Sequence, residues 1–215
     1  MLEVHKELRL RGDPARFDAF IQAVATRAAR AWLRDREREA ELSSLPPRRQ
    51  CYVFRSVAAA DRVAVSLFLT SDHGELRVTN IVPQQVGQLT RGQYNAILDE
   101  FTVRYIGPVA PDFGMDSELT ADRLPITHWL SEEAAKRLAR FSRAANKGTG
   151  SGHPLDLERW LAFLIQVHRE RATLDAYTLS RWLVEEEGWP EEKASDLASE
   201  FEFGRDLLKA YDAAR

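Results

Sequence analysis

The pattern of apolar residues changes near Leu119, and this change limits more than any other feature how the chain can fold. Before it, stretches in which apolar and polar residues alternate, as in half-buried strands, lie among stretches with helical spacing. After it, apolar residues recur only at helical intervals. The sequence therefore predicts an α+β protein. Residues 1–120 form an antiparallel sheet covered by two helices, and residues 121–215 form an all-α domain of four helices.

Strand-like runs and two helices are predicted in the first domain. The first run covers residues 2–10, and the next three have the sequences CYVFRSV, RVAVSLFLT and ELRVTNIV. AAAD links the second run to the third, and SDHG is typical of a hairpin turn before the fourth. One long amphipathic helix is expected over about residues 14–41, capped by Asp13 and ended by the prolines of LPP. Thr90 caps a second helix, and VRYI, residues 103–106, is expected to be a last short strand.

The four helices of the second domain are expected over about 131–145, 155–171, 177–187 and from 190 onward, with Ser131 and Asp175 as caps. In the second of these helices apolar residues cover most of the circumference, which predicts a central, buried helix. The fourth helix presents one apolar face that is expected to turn inward, formed by Ala194, Leu197, Ala198, Phe201, Leu208 and Tyr211.

Charge and composition exclude several classes of function. The chain has 215 residues, a net charge of −3 and one cysteine, so no overall basic field attracts nucleic acid and no intramolecular disulfide can form. No apolar run is long enough to span a membrane, and the N-terminal residues lack the apolar run of a signal peptide. We therefore expect a cytoplasmic protein without a membrane partner. The five histidines are dispersed, so we predict neither a metal site nor a cofactor.

A glycine-rich stretch, ANKGTGSGHP, separates the first two predicted helices of the second domain. Gly148, Gly150 and Gly152 allow backbone amides to converge, and the helix that starts after His153 adds a positive end, so the stretch is a candidate anion-binding loop. Its spacing and its position after a helix match neither a P-loop nor a dinucleotide-binding loop. The alternative is a simple joint between two helices.

Four cations lead into this loop. Lys136, Arg140, Arg143 and Lys147 are spaced by four, three and four residues, so they share one helical face. Such rows bind the phosphates of nucleic acids or nucleotides. The alternatives are a solvated face and pairing with the acidic residues that follow, because residues 172–215 carry eleven Asp or Glu and only five Lys or Arg.

An acidic run ends the third helix of the second domain. Glu185, Glu186 and Glu187 lie where the helix dipole disfavours negative charge, and Trp189 follows them. The four residues are a candidate surface for a basic protein partner, since aromatic residues anchor interfaces. Two alternatives remain: the acids serve solubility, and Trp189 packs back against its own helix.

No catalytic set is evident. His153, Asp156 and Arg159 could converge where the second helix of this domain starts, but Asp156 is also an ordinary first-turn acid. The G-x-S-x-G pattern of a serine nucleophile is absent. An enzyme would need residues that are distant in the sequence.

The runs RVTNIVP, QYNAILDEF, FSRAANKGTGSGHPLDLERW and RWLVEEEGWPEEKASDLASEFEFGRDLLKAYD resemble a group of bacterial stand-alone hypothetical proteins with no assigned activity. The resemblance implies a bacterial cytoplasmic protein and carries no catalytic role. Our leading hypothesis is a non-enzymatic protein-interaction module of antitoxin, immunity or phage-defence accessory type. The alternative is nucleic-acid or nucleotide-phosphate binding through the basic helix face and the glycine-rich loop.

Overall fold

The structure, a computed structural model, describes residues 1–46, 49–57, 63–72 and 74–215. The chain divides into two compact units. The first is Val4–Asp122, and the second joins Met1–Glu3 to Arg123–Arg215, so that it takes the short strand β1 (Leu2–Glu3). The predicted α+β class is confirmed, with antiparallel sheets and a C-terminal region that is almost wholly helical.

The first unit contains a six-stranded antiparallel sheet. Its strands are β2 (Leu8–Arg11), β3 (Trp32–Arg34), β4 (Cys51–Ser56), β5 (Val65–Asp72), β6 (Glu75–Pro83) and β7 (Asp116–Leu119), in the spatial order β3-β4-β5-β6-β2-β7. Its helices are α1 (Phe17–Ala28), α2 (Arg36–Ser44) and α3 (Arg91–Phe101). The predicted AAAD link (residues 58–61), His73 of the hairpin turn and Pro47 of LPP lie outside the described residues.

Buried and partly exposed side chains alternate along the strands, so that one face of the sheet lies in the core. In β5, Val65, Leu67 and Leu69 are buried, whereas the residues between them are partly exposed. The buried face meets the apolar stripe of α1 and the aromatic ring of Phe101 at the end of α3. The Phe101 ring stands edge-on to Phe54 at a centroid distance of 5.2 Å.

The prediction of a single long helix over residues 14–41 is wrong. The helix α1 stops at Ala28, and the chain then forms the edge strand β3 and the separate helix α2. Trp32 turns its side chain into the core while its strand pairs with β4. Asp35 restarts the helix by accepting a hydrogen bond from the Arg38 amide. Tertiary pairing and burial therefore override a local helical pattern.

Two strand predictions are also wrong. Residues 103–106 lie in a π-helical turn, Thr102–Ile106, that continues α3 and buries Ile106. The run over residues 2–10 divides into β1 and β2, which belong to different sheets. Between these strands the Asn95 side chain takes the place of a neighbouring strand, because it donates to the Val4 carbonyl and accepts from the Lys6 amide, both at 2.8 Å.

The second unit contains the four predicted helices. They are α4 (Glu132–Ala144), α5 (Pro154–Glu170), α6 (Ala176–Glu185) and α7 (Glu191–Ala213). Ser131 and Asp175 accept hydrogen bonds from first-turn amides, as predicted. Contrary to the prediction, one strand does follow Leu119: the two-residue β8 (Arg123–Leu124) pairs with β1.

One buried ion pair connects α2 to the sheet of the first unit. The Arg34 Nε lies 2.9 Å from Glu39 Oε1, and the same oxygen accepts a hydrogen bond from the Val53 amide at 3.0 Å. The side chains of both residues are largely buried. Removing Glu39 would leave the buried Arg34 with its other ion pair, to the exposed Asp18, and would leave the Val53 amide without this acceptor.

We expect Glu39→Ala to lower the free energy of unfolding of the first unit by about 3 kcal/mol. Glu41 on the same helix is the matched control, because its ion pair with Arg38 is exposed and its removal should cost less than about 1 kcal/mol. Hydrogen exchange of the β4 amides in increasing denaturant measures both. An equal decrease in the free energy of unfolding for the two variants would contradict a structural role for the buried ion pair.

Candidate functional site

The glycine-rich loop between α4 and α5 uses its glycine amides internally. The Gly148 amide donates to Asn146 Oδ1 at 2.8 Å, and the Gly150 amide donates to the Asn146 carbonyl at 2.9 Å. The Gly152 amide donates to the Thr149 carbonyl at 3.2 Å. Gly150 alone of the three has a left-handed backbone, with φ of 63°. The amides that would cradle an anion therefore already have acceptors within the loop.

Side chains attach the loop to α7 and to the start of α5. Ser151 donates to the carboxylate of Glu200 on α7 at 2.8 Å. His153 caps α5 by accepting from the Leu155 amide at 3.3 Å. These contacts are those of an ordered joint between helices.

A shallow cleft of about 700 Å³ opens beside the loop, and it brings His153, Asp156 and Arg159 together. Arg159 Nη1 lies 2.6 Å from Asp156 Oδ1, and the Asp156 carboxylate is almost fully buried. The guanidinium is therefore neutralised by its own helix, which leaves it little free charge for an anionic ligand.

The predicted basic stripe contains two kinds of cation. Lys136 is 3.5 Å from Glu132, and Lys147 donates to the carbonyl of Glu187. Arg140 and Arg143 are exposed and form no ion pair or hydrogen bond with any part of the chain that the structure describes. Only these two guanidinium groups of the stripe are available to an external anion.

The acidic run at the end of α6 makes contacts within its own unit. Glu185 accepts from Arg181 Nε at 2.8 Å, Glu186 accepts from the α-amino group of Met1, and Glu187 accepts from the Ser142 hydroxyl at 2.8 Å. Each carboxylate of the run is thus already bonded within the unit.

Trp189, the aromatic residue predicted beside this acidic run, lies in the core. Its side chain is 2% exposed and stacks on Phe141 at a centroid distance of 5.7 Å. The indole N–H donates to the Ser142 hydroxyl at 2.8 Å, so Ser142 connects Trp189 to Glu187. Trp189 therefore packs back into its own unit, as in the second alternative, and does not stand on an exposed surface.

The helix α5 is not buried on all sides, contrary to the prediction. Its inward side carries Trp160 and Phe163, but Leu157, Leu161 and Ile165 are 43%, 47% and 40% exposed. These three residues are spaced by four, so they form one line along the helix.

A second exposed apolar line runs along α7. Phe203, Leu207 and Tyr211 are 71%, 57% and 54% exposed and are again spaced by four. The prediction that Tyr211 belongs to the inward face is therefore wrong, whereas Ala194, Leu197 and Phe201 do face inward.

The two lines border the same contact between helices. Leu164 of α5 faces Gly204 of α7, where an added Cβ would lie 2.8 Å from Leu164 Cδ1, and His168 Nε2 lies 2.8 Å from Asp212 Oδ2. The rings of Phe163 and Phe201 meet on the core side of this contact. The exposed lines consequently lie on its solvent side. We call this surface the α5–α7 patch; it consists of Leu157, Leu161, Ile165, Phe203, Leu207 and Tyr211.

Sequence reasoning missed this surface although a signal was present. Apolar residues all around α5 fit burial by a partner as well as burial in a core. Gly204 is a second signal, because glycine inside a helix is unfavourable unless a close contact requires it.

Within the described ranges, no three His, Cys, Asp or Glu side chains are placed to hold a metal ion. Among the described helices, none combines the length and apolar character needed to cross a bilayer.

No protein family, curated protein or solved structure matches this chain. The resemblance to a bacterial group stays a prediction.

We expect Ser142→Ala to lower the free energy of unfolding of the second unit by about 2 kcal/mol, because Trp189 and Glu187 would both lose a buried partner. Ser199 is the matched control, since its hydroxyl is exposed and bonds only to its own helix. Denaturant unfolding followed by tryptophan fluorescence measures both variants. A Ser142→Ala protein as stable as the control would show that the hydrogen bonds joining Ser142 to Trp189 and Glu187 contribute nothing to stability.

Proposed function

We propose that the helical unit binds another protein through the α5–α7 patch. The observation that supports this proposal is the exposure of six large apolar side chains in two adjacent lines. Soluble proteins rarely leave a contiguous apolar surface of this kind uncovered, and where they do, it commonly marks an interaction site.

The composition and shape of the patch favour a protein partner over a small ligand. Ligand sites are concave, with a few polar groups converging on the ligand. The α5–α7 patch instead lies along two helices. It includes Phe203 and Tyr211, and aromatic residues are enriched in protein–protein interfaces.

This proposal keeps the class of function predicted from the sequence but changes the surface. The predicted partner residues Glu185, Glu186, Glu187 and Trp189 are engaged within their own unit. An antitoxin, immunity or phage-defence accessory protein in the cytoplasm would use such a patch to hold the protein that it controls. That narrower role rests on the sequence argument alone.

A second candidate function is contact with nucleic acid or nucleotide phosphates through Arg140 and Arg143. It is favoured by the exposure of both guanidinium groups and by their lack of acidic partners in the described part of the chain. In this candidate function the glycine loop is not part of the phosphate site, because the amides of Gly148, Gly150 and Gly152 donate within the loop.

The first function is tested by Leu161→Asp/Leu207→Asp, which places one charge in each line of the patch. Both residues are exposed, so folding should be preserved, whereas capture of a partner from an extract of the source organism should fall at least tenfold, because a charge buried in an apolar interface loses its hydration. Quantitative mass spectrometry of the captured proteins measures the change.

The control is Val103→Asp, which places a charge at an exposed apolar residue of the other unit. It should capture the same partner as the unaltered protein. Recovery of the same proteins at the same level by all three forms would contradict the proposal.

The second function predicts that the protein binds a labelled 30-nucleotide DNA at about 50 mM salt, and that Arg140→Ala/Arg143→Ala weakens binding about tenfold and flattens its salt dependence. Arg36→Ala/Arg38→Ala removes two exposed cations elsewhere and should change little. Fluorescence anisotropy against salt measures all three proteins. Absence of binding, or binding that ignores salt, would eliminate this candidate.

A further inference from the structure

The charge around the α5–α7 patch indicates what kind of protein would cover it. The helix α7 carries seven acidic and three basic residues. Each of the three bases is already bonded: Lys193 to Asp196 at 2.9 Å, Lys209 to Asp206 at 3.6 Å, and Arg205 to the Leu174 carbonyl at 3.3 Å. Asp196 and Asp206 are in turn the partners of Lys193 and Lys209, and α7 keeps an excess of four negative charges.

Several of these acids border the patch directly. Glu200 precedes Phe203 by three residues and Asp206 follows it by three, which places both beside Phe203 on the helix surface, and Asp196 lies one turn before Glu200. On α5, Glu158 precedes Leu161 by three and forms no ion pair or hydrogen bond with any described residue. The helix α5 carries three acidic and two basic residues, so most of the net negative charge comes from α7.

The length and the direction of the two apolar lines suit a partner helix. The ends of each line, Leu157 and Ile165 or Phe203 and Tyr211, are eight residues apart, or about 12 Å along the helix axis. The two helices run in the same direction, since residues 163, 164 and 168 of α5 meet residues 201, 204 and 212 of α7 in that order. An amphipathic helix of two to three turns can place its apolar residues between two such lines.

We infer that the occupant of the α5–α7 patch is a basic amphipathic helix of a partner protein, an inference that rests on the proposed function. Its apolar face covers the two lines, and its lysine and arginine residues face the acids of α7. Complementary charge of this kind selects the partner and orients it.

Other occupants conflict with the charge. A second copy of this chain would bring the acidic α7 surfaces together, and an acidic helix would meet the same repulsion. Nucleic acids and anionic membrane surfaces carry the wrong charge for this surface.

Three labelled synthetic peptides of 18 residues test the inference on the full chain. The first is a basic amphipathic helix, with leucines at helical spacing and Lys or Arg elsewhere. The second replaces each Lys and Arg of the first with Glu, and the third scrambles the basic sequence at constant composition. In fluorescence anisotropy the first peptide should bind at least tenfold more tightly than the other two, and its binding should weaken as salt is raised.

Variants of the protein separate the apolar contribution from the electrostatic one. Leu161→Asp/Leu207→Asp should weaken the basic peptide at least tenfold. Glu158→Lys/Asp206→Lys should weaken it about fivefold and strengthen the acidic peptide, because the border charge is reversed. Glu37→Lys/Glu41→Lys, an equal charge change on exposed positions of α2, should have no such effect.

Four results would overturn the inference: equal binding of the basic and acidic peptides, equal binding of the scrambled peptide, no peptide binding, or a dimer in sedimentation velocity that Leu161→Asp/Leu207→Asp abolishes. The proposed function survives each of them if the capture of a protein from the extract still depends on the patch. It fails independently if that capture is unchanged in the patch variant, whatever the peptides do.

Discussion

The close approach of α5 and α7 at Leu164 and Gly204 is the contact on which the exposed surface of the helical unit depends. A side chain at position 204 would meet Leu164 at 2.8 Å, so the glycine permits the two helices to lie side by side. With Phe163 and Phe201 meeting below this contact, the residues above it must face solvent. Two apolar lines that are unrelated in the sequence thereby become one patch. The unfavourable helix propensity of Gly204 is consistent with a position kept for this contact.

The polar residues of the acidic run and of the glycine-rich loop mainly hold the helical unit together. Ser142 connects Trp189 in the core to Glu187 at the end of α6, and Lys147 bonds to the carbonyl of the same glutamate. In the loop, Asn146 accepts from the amides of Gly148 and Gly150. Charge and glycine content are often taken as signs of ligand binding, but here the donors and acceptors largely satisfy one another. Apart from Arg140, Arg143 and Glu158, the exposed feature of the helical unit that stands out is the apolar patch.

The positions of the helices in the second unit could be predicted closely, because their ends carry strong local signals. Ser131 and Asp175 cap first-turn amides, and Pro190 precedes α7. The first unit was harder to predict, because its elements depend on distant partners. Trp32 belongs to a helical pattern in the sequence but pairs with β4 in the fold, and Asn95 interrupts a run that alternates like a strand. Edge strands and side-chain bridges of this kind leave no periodic signal.

The α+β class, the four C-terminal helices with their caps, and the apolar periodicity of α5 and α7 follow from the sequence alone, since each depends on residues within a few turns of one another. Which apolar side chains are covered follows only from the packing of the helices. Leu161 and Leu164 differ little in the sequence, yet one faces solvent and the other faces Gly204. The tertiary structure also decided that Trp189 is buried and that the loop glycines donate inward. The physical reason is that burial depends on which helices meet, and a single-helix pattern carries no information about its neighbour.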